Sequence, residues 1–224
     1  MVHRTPLPNL FPPAIDRPIA ASDSALVLLD FQRCYVDRAV GIGRLAAERG
    51  IDAELDEYFE QVAYAVRNAR DLLHAFRAAG VTVIHCRIVD RPRMTPSTVQ
   101  SGVIGWLRSA SDADADFCAD LAPAPGEVVV ERRALNPFVR SDLERVVEDR
   151  GLSTLVLAGV GVATTVYPAA RDAADRGYAV IGVPDACVGD TFEIHDFMLN
   201  QLVGGLIRLR STAAVLAAMQ GGAS

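Results

Sequence analysis

A chain of 224 residues, half of them hydrophobic and 22% charged, holds enough material for one complete core and does not force a second domain. Its net charge of −6 and pI near 5.2 exclude the clustered basic surface that nucleic acid or an anionic membrane demands, leaving a small molecule or another protein as the expected partner. All 22 cationic side chains are arginine, so no lysine amine is available as a base or Schiff-base former.

Residues 1–24, rich in proline (Pro6, Pro8, Pro12, Pro13, Pro18), read as an extended arm on the body or on a neighbouring subunit, and 25–219 as one domain. Ala25–Asp30 is a buried strand. After a glycine-containing loop, Ala53–Ala79 has the apolar spacing of a long helix, closed by Gly80, and Val81–Ile88 is the second strand. The stretch from Val89 to Pro125 is irregular and reads as a lid or a short helix. Then come a strand at Glu127–Glu131, a helix at Ser141–Arg150, a strand at Thr154–Gly159 and a helix at Thr164–Arg176. A strand at Tyr178–Val183, a helix at Phe192–Val203, an edge strand at Ile207–Leu209 and a closing helix at Thr212–Met219 complete the chain. Strands apolar on both faces that alternate with helices mean a parallel sheet covered on both sides.

No signal peptide or membrane span is visible, and Cys34, Cys86, Cys118 and Cys187 form no C-x-x-C pair, which fits reduced thiols in a cytoplasm. Asp30 follows five apolar residues at a strand end, a costly place for a carboxylate unless something pairs with it; Arg132 and Arg87 are the candidate partners. Pairing with Arg132 would lower the pKa of Asp30 and weaken it as a base. Arg132 and Arg133 are equally placed to fork a substrate carboxylate, which suggests a small anionic metabolite. Thr165, at the start of a helix, reads most simply as a residue that satisfies backbone donors. Cys34, four residues after Asp30, reads as a half-buried thiol in preference to a relocated nucleophile, Cys86 and Cys187 as core or near-core thiols and His85 as a core imidazole; His195 stays open. Phe31, Tyr35, Trp106, Phe138 and Tyr167 either line an aromatic pocket or pack as ordinary core.

Three blocks, ALVLLDFQRCYVD, ERRALNPFVRSDLE and GVGVATTVYPAARDAADRGYAVIGVPDACVGD, resemble the successive signatures of the isochorismatase-like, or cysteine hydrolase, superfamily. The resemblance spans about Ala25 to Leu216 and implies an α/β fold: three αβα layers around a six-stranded, mainly parallel sheet, assembled as homodimers or homotetramers. It also implies hydrolysis of small amides, ureido compounds or a vinyl ether. The family's amidases use an Asp, a Lys and a Cys. Asp30 matches the first, whereas Arg132 stands at the lysine position and Thr165 at the cysteine position.

A threonine hydroxyl needs a general base, and Arg132 cannot accept a proton, so the expected chemistry is Asp30 as general acid or base without a cysteine nucleophile. A Thr165-dependent amidase is one alternative, and a binding or scaffold protein that has lost the Asp-Lys-Cys triad is another. The isochorismatase branch also lacks the cysteine but keeps the lysine, and its glutamine aligns here near Ile88, so isochorismate is not the expected substrate. The metal-binding D-x-H arrangement of the nicotinamidase branch is not recognisable, and neither metal nor cofactor is expected. Gly161, in the glycine turn before Thr165, completes the expected substrate-binding set with Phe31, Tyr35, Arg87, Trp106, Phe138 and Tyr167.

Overall fold

The computed structural model describes residues 17–89, 109–202 and 207–221. Six parallel strands form one sheet: β1 (Ser24–Leu29), β2 (Thr82–Ile88), β3 (Val128–Arg132), β4 (Thr154–Val160), β5 (Ala179–Val188) and β6 (Arg208–Leu209), in the order β3-β2-β1-β4-β5-β6. Strand order reverses beside β1, since β2 lies on one side of it and β4 on the other. That reversal opens a crevice at the carboxyl ends of β1 and β4, where open α/β sheets bind ligands.

Side chains of β1 alternate between two cores. Ala25, Val27 and Leu29 pack with α4 (Leu143–Asp149) and α5 (Tyr167–Asp175), through Leu143, Val147, Ala169, Ala170 and Ala173. Leu26 and Leu28 face α3 (Asp56–Ala78), whose Val62, Ala65, Ala69, Leu72, Leu73 and Phe76 recur every three or four residues and are buried as one stripe. Removing one of these, as in Leu72→Ala, costs about 2–5 kcal/mol because the packed layer cannot collapse onto the void. The last helix, α7 (Thr212–Gly221), joins this layer through Val215.

The structure differs from the sequence expectation at several joints. The loop after β1 holds two short helices, α1 (Arg33–Val36) and α2 (Gly41–Glu48), whose few apolar residues carry no periodic signal over so short a span. The long helix starts as a tight turn at Asp52–Leu55 before α3 begins. The helix expected from Thr164 begins as a wide π turn over Val162–Val166 and becomes regular only at Tyr167. The helix expected at Phe192–Val203 is regular only over α6 (Phe192–Asp196), then widens over Phe197–Leu202. β5 runs five residues past its expected end, with its register against β4 broken between Leu157 and Gly159. Within the expected lid or short helix, Ala113–Ala115 and Ala119–Leu121 are single tight turns, and Trp106 lies outside the described residues. No described helix is long and apolar enough to cross a membrane.

Candidate active site

Asp30 sits one residue past β1 with φ at 57°, a left-handed conformation that short polar side chains tolerate better than most. Its N–H donates to Cys86 O at 2.9 Å, so the turn stays anchored to β2 while the side chain leaves the strand. Gln32, fully buried, fastens the same turn: its Nε2 donates to Ile88 O (3.1 Å) and Ala115 O (2.8 Å), and its Oε1 accepts from Ile88 N–H (2.9 Å). Buried amides satisfied on both ends hold a backbone rigidly.

Thr165 arrives from the far side of the crevice. Gly159 must be glycine because a Cβ there would stand 2.5 Å from Leu29 Cβ, so β4 runs hard against β1. Gly161, at φ 79°, then turns the chain in a conformation that L residues avoid, and its carbonyl accepts the N–H groups of Thr165 (2.7 Å) and Val166 (3.1 Å). Thr165 does not satisfy backbone donors, as the sequence suggested; its hydroxyl donates to Asp30 Oδ2 at 3.0 Å.

Arg132 closes the cluster from the end of β3. Its Nη2 donates to Asp30 Oδ2 and its Nη1 to Ala134 O, with no side-chain surface left exposed. The guanidinium does not line the Asp30 cavity; with Arg133 and Arg140 it borders a neighbouring cleft, and its Nε is buried without a hydrogen-bond partner. Burial nevertheless pushes the Asp30 carboxyl up, against the opposing pull of Arg132 and the Thr165 hydroxyl, so the expectation of a weakened base is reversed. Asp30 is 3% exposed, and its second oxygen, Oδ1, is buried with no hydrogen-bond partner.

A cavity of about 280 Å³ opens beside this cluster. Asp30, Thr164, Thr165 and Asp190 give it polar atoms, Gly161 a stretch of backbone, Tyr35 and Tyr58 aromatic rings, and Ile42, Leu135 and Val160 an apolar lining. The Tyr58 hydroxyl donates to Tyr35 O at 3.0 Å, and burial holds both phenols well above their ordinary range, so they stay neutral.

Of the substrate-binding residues expected from sequence, Tyr35 and Gly161 border this cavity. Phe31 and Phe138 do not; they are sealed into the cores on opposite faces of the sheet, because the turn at Asp30 sends the next ring back toward α3. Tyr167 packs against the core near α5, and Arg87 pairs with Glu131 and Asp116 instead of facing the cavity. Sequence reasoning passed over Gln32, Tyr58 and Asp190. A polar amide directly after a buried strand was the available signal for Gln32, whereas the other two reach the cavity only through the packing of α3 and β5.

No cysteine lines this cavity. Burial raises the Cys86 and Cys187 thiols to about 12 and Cys118 to about 11, where thiolate is scarce. Among the described residues no three His, Cys, Asp or Glu side chains gather to hold a metal ion.

The Isochorismatase domain model matches residues 24–215. The chain belongs to the isochorismatase family. Family members similar to it include a maleamate amidohydrolase from Pseudomonas putida, 29% identical over 74% of this chain and 72% of the relative. A ureidoacrylate amidohydrolase from Variovorax paradoxus is 24% identical over 81% and 75% of the two chains. The fold matches the crystal structure of a cysteine hydrolase from Pseudomonas syringae, with a TM-score of 0.80 at 21% identity across 94% of this chain and 98% of that one. An N-carbamoylsarcosine amidase from Thermoplasma acidophilum follows at 0.66 and 22%, covering 85% and 96%. In isochorismatase-family terms, the six-stranded α/β architecture expected from the resemblance is the one observed.

Proposed function

We propose that this protein hydrolyses the C–N bond of a small amide or ureido compound by general acid–base catalysis at Asp30, without a covalent intermediate. The observation that carries this reading is the division of labour on Asp30: Oδ2 is held by Arg132 and Thr165, while Oδ1 is buried, unpartnered and beside the cavity. An acceptor left bare inside a protein is costly, and Asp30 borders a cavity from which a substrate-bound water that reaches Oδ1 would repay it. Oδ1 takes a proton from that water, and the oxygen attacks the carbonyl carbon. The protonated carboxyl then returns the proton to the leaving nitrogen as the C–N bond breaks. An upward-shifted carboxyl suits both halves of the cycle, because it takes the proton more readily. The two amidohydrolase relatives supply the C–N bond as the reaction class.

A second reading has its own observation. The 3.0 Å hydrogen bond from Thr165 Oγ1 to Asp30 Oδ2 is also the contact a hydroxyl nucleophile makes with its base. Arg132 occupies the same oxygen, which lowers its basicity toward the hydroxyl and favours the water route. Intact-mass analysis of enzyme quenched during turnover of small amides and ureides separates the two. The water route shows product release and unmodified protein, whereas an acyl adduct on the Thr165 peptide overturns it. Binding without turnover of any compound favours a protein that retains the pocket alone.

A further inference from the structure

Resting on the hydrolase reading above, we infer that Asp190 determines the specificity of this cavity and that its substrate is a small amide that also carries a cationic nitrogen. Among the described residues that border the cavity, the only formal charges are carboxylates, Asp30 and Asp190. Arg132 neutralises Asp30 from behind, so the charge left for a ligand is that of Asp190. That side chain makes no ion pair or hydrogen bond among the described residues. A carboxylate without a counter-charge beside an apolar-walled cavity attracts a cation and repels an anion.

The loop that carries it is held in place. Gly189 N–H donates to the buried Gln61 Oε1 at 3.1 Å, and Thr191 caps α6 by accepting from Ile194 N–H at 3.2 Å. Asp190 is exposed, but its backbone stands between two fixed neighbours, which keeps the carboxylate at the mouth of the cavity, and solvent screening keeps the expected margin modest. Tyr35 and Tyr58 also border the cavity, and neutral phenol rings are compatible with a cationic ligand. Independently of the charge, the bare Asp30 Oδ1 asks for a hydrogen-bond donor, which water or an amide N–H supplies and a carboxylate does not. A cavity of about 280 Å³ restricts the ligand to the size of a short amino-amide.

Three near-isosteric probes decide the matter: 4-aminobutanamide (cationic), pentanamide (neutral) and succinamate (anionic). Calorimetry on the full chain reads binding, and ammonia release reads hydrolysis separately. The cationic amide should bind about threefold to tenfold more tightly than the neutral one, and Asp190→Asn should erase that margin. Asp190→Lys should turn the preference toward succinamate. Preference for the cation that Asp190→Asn removes, without ammonia release, supports this inference and defeats the hydrolase reading. Ammonia release with no dependence on charge does the reverse. Tighter binding of succinamate by the unaltered protein, a margin untouched by Asp190→Asn, or no binding of any probe overturns the inference.

Discussion

Asp30 and Glu127 are both acids paired with an arginine beside the sheet, yet their oxygens are used in opposite ways. Glu127, just before β3, accepts Arg77 Nε on Oε1 (2.7 Å). On Oε2 it accepts Arg77 Nη2 (2.8 Å) and Ala124 N–H (2.8 Å), and it contacts His85 Nε2 at 2.8 Å. Burial alone would raise its pKa, but these hydrogen bonds outweigh burial and hold the pKa at about 2. Asp30 has two donors crowded on one oxygen and none on the other, and burial wins. A carboxylate with donors on both oxygens ties β2, β3 and α3 together. One left half-satisfied beside a cavity has capacity to act on something else.

The largest test of that contrast is kinetic. With Asp30 as the proposed general acid–base, Asp30→Asn should lower turnover roughly 10²–10⁴-fold on any substrate the unaltered protein hydrolyses. Thr165→Ala removes one hydroxyl donor and should cost about tenfold. If Thr165 were the nucleophile the ranking would change: Thr165→Ala would be as damaging as Asp30→Asn, and Thr165→Ser would keep part of the activity. Glu127→Gln, in the saturated cluster, should alter stability and leave the ranking of these variants as it is.

Stability gives the second test, because the two arginines differ in burial. Arg132 has no exposed side-chain surface, and Arg132→Met strands Asp30 in the interior; the expected loss is about 3–5 kcal/mol by urea denaturation. Adding Asp30→Asn should recover part of it, since the stranded charge disappears. Arg77 keeps 30% of its side chain exposed, and Arg77→Met should cost only about 1 kcal/mol. Equal losses from the two would mean that Asp30 is no more sequestered than Glu127.

Much of this arrangement was legible in residue order. Buried strands announce themselves by short apolar runs such as ALVLL and LVLA, and a carboxylate at the end of one is conspicuous because its burial is costly. That logic pointed to Asp30, and the resemblance added Arg132 and Thr165, which the fold brings to one carboxylate. What stayed hidden depends on geometry outside the chain order. Whether Arg132 faces a ligand or Asp30 is decided by the turn at φ 57°, and whether Phe31 lines a pocket or a core follows from the same turn. The widened turn at 162–166 leaves no periodic trace over five residues, and Glu127 gave no hint that His85 and Arg77 would converge on it.

The smallest effect is the pH dependence of stability, and it tests the comparison through its sign. Glu127 holds its carboxyl at about 2 in the fold, below the ordinary 4.5, so its contribution is complete above pH 4.5 and is lost as pH falls toward 2. His85 acts in the same direction at higher pH. Burial lowers its value below 6.5, so the unfolded chain takes up the proton first and stability declines as pH drops through that region. Asp30 runs the other way. Its folded value lies above the ordinary 3.8, so the unfolded chain ionises first, and stability decreases as pH rises from 3.8 through the raised value. Urea denaturation at half-unit steps from pH 2.5 to 5.5 should therefore show a rising limb that Glu127→Gln flattens. Asp30→Asn should leave that limb intact and make it slightly steeper, because the opposing contribution has gone. A limb flattened by Asp30→Asn would place the Asp30 carboxyl below its ordinary value, held there by Arg132. Asp30 would then be a second saturated structural acid, and the proposed base would have to be sought elsewhere in the cavity.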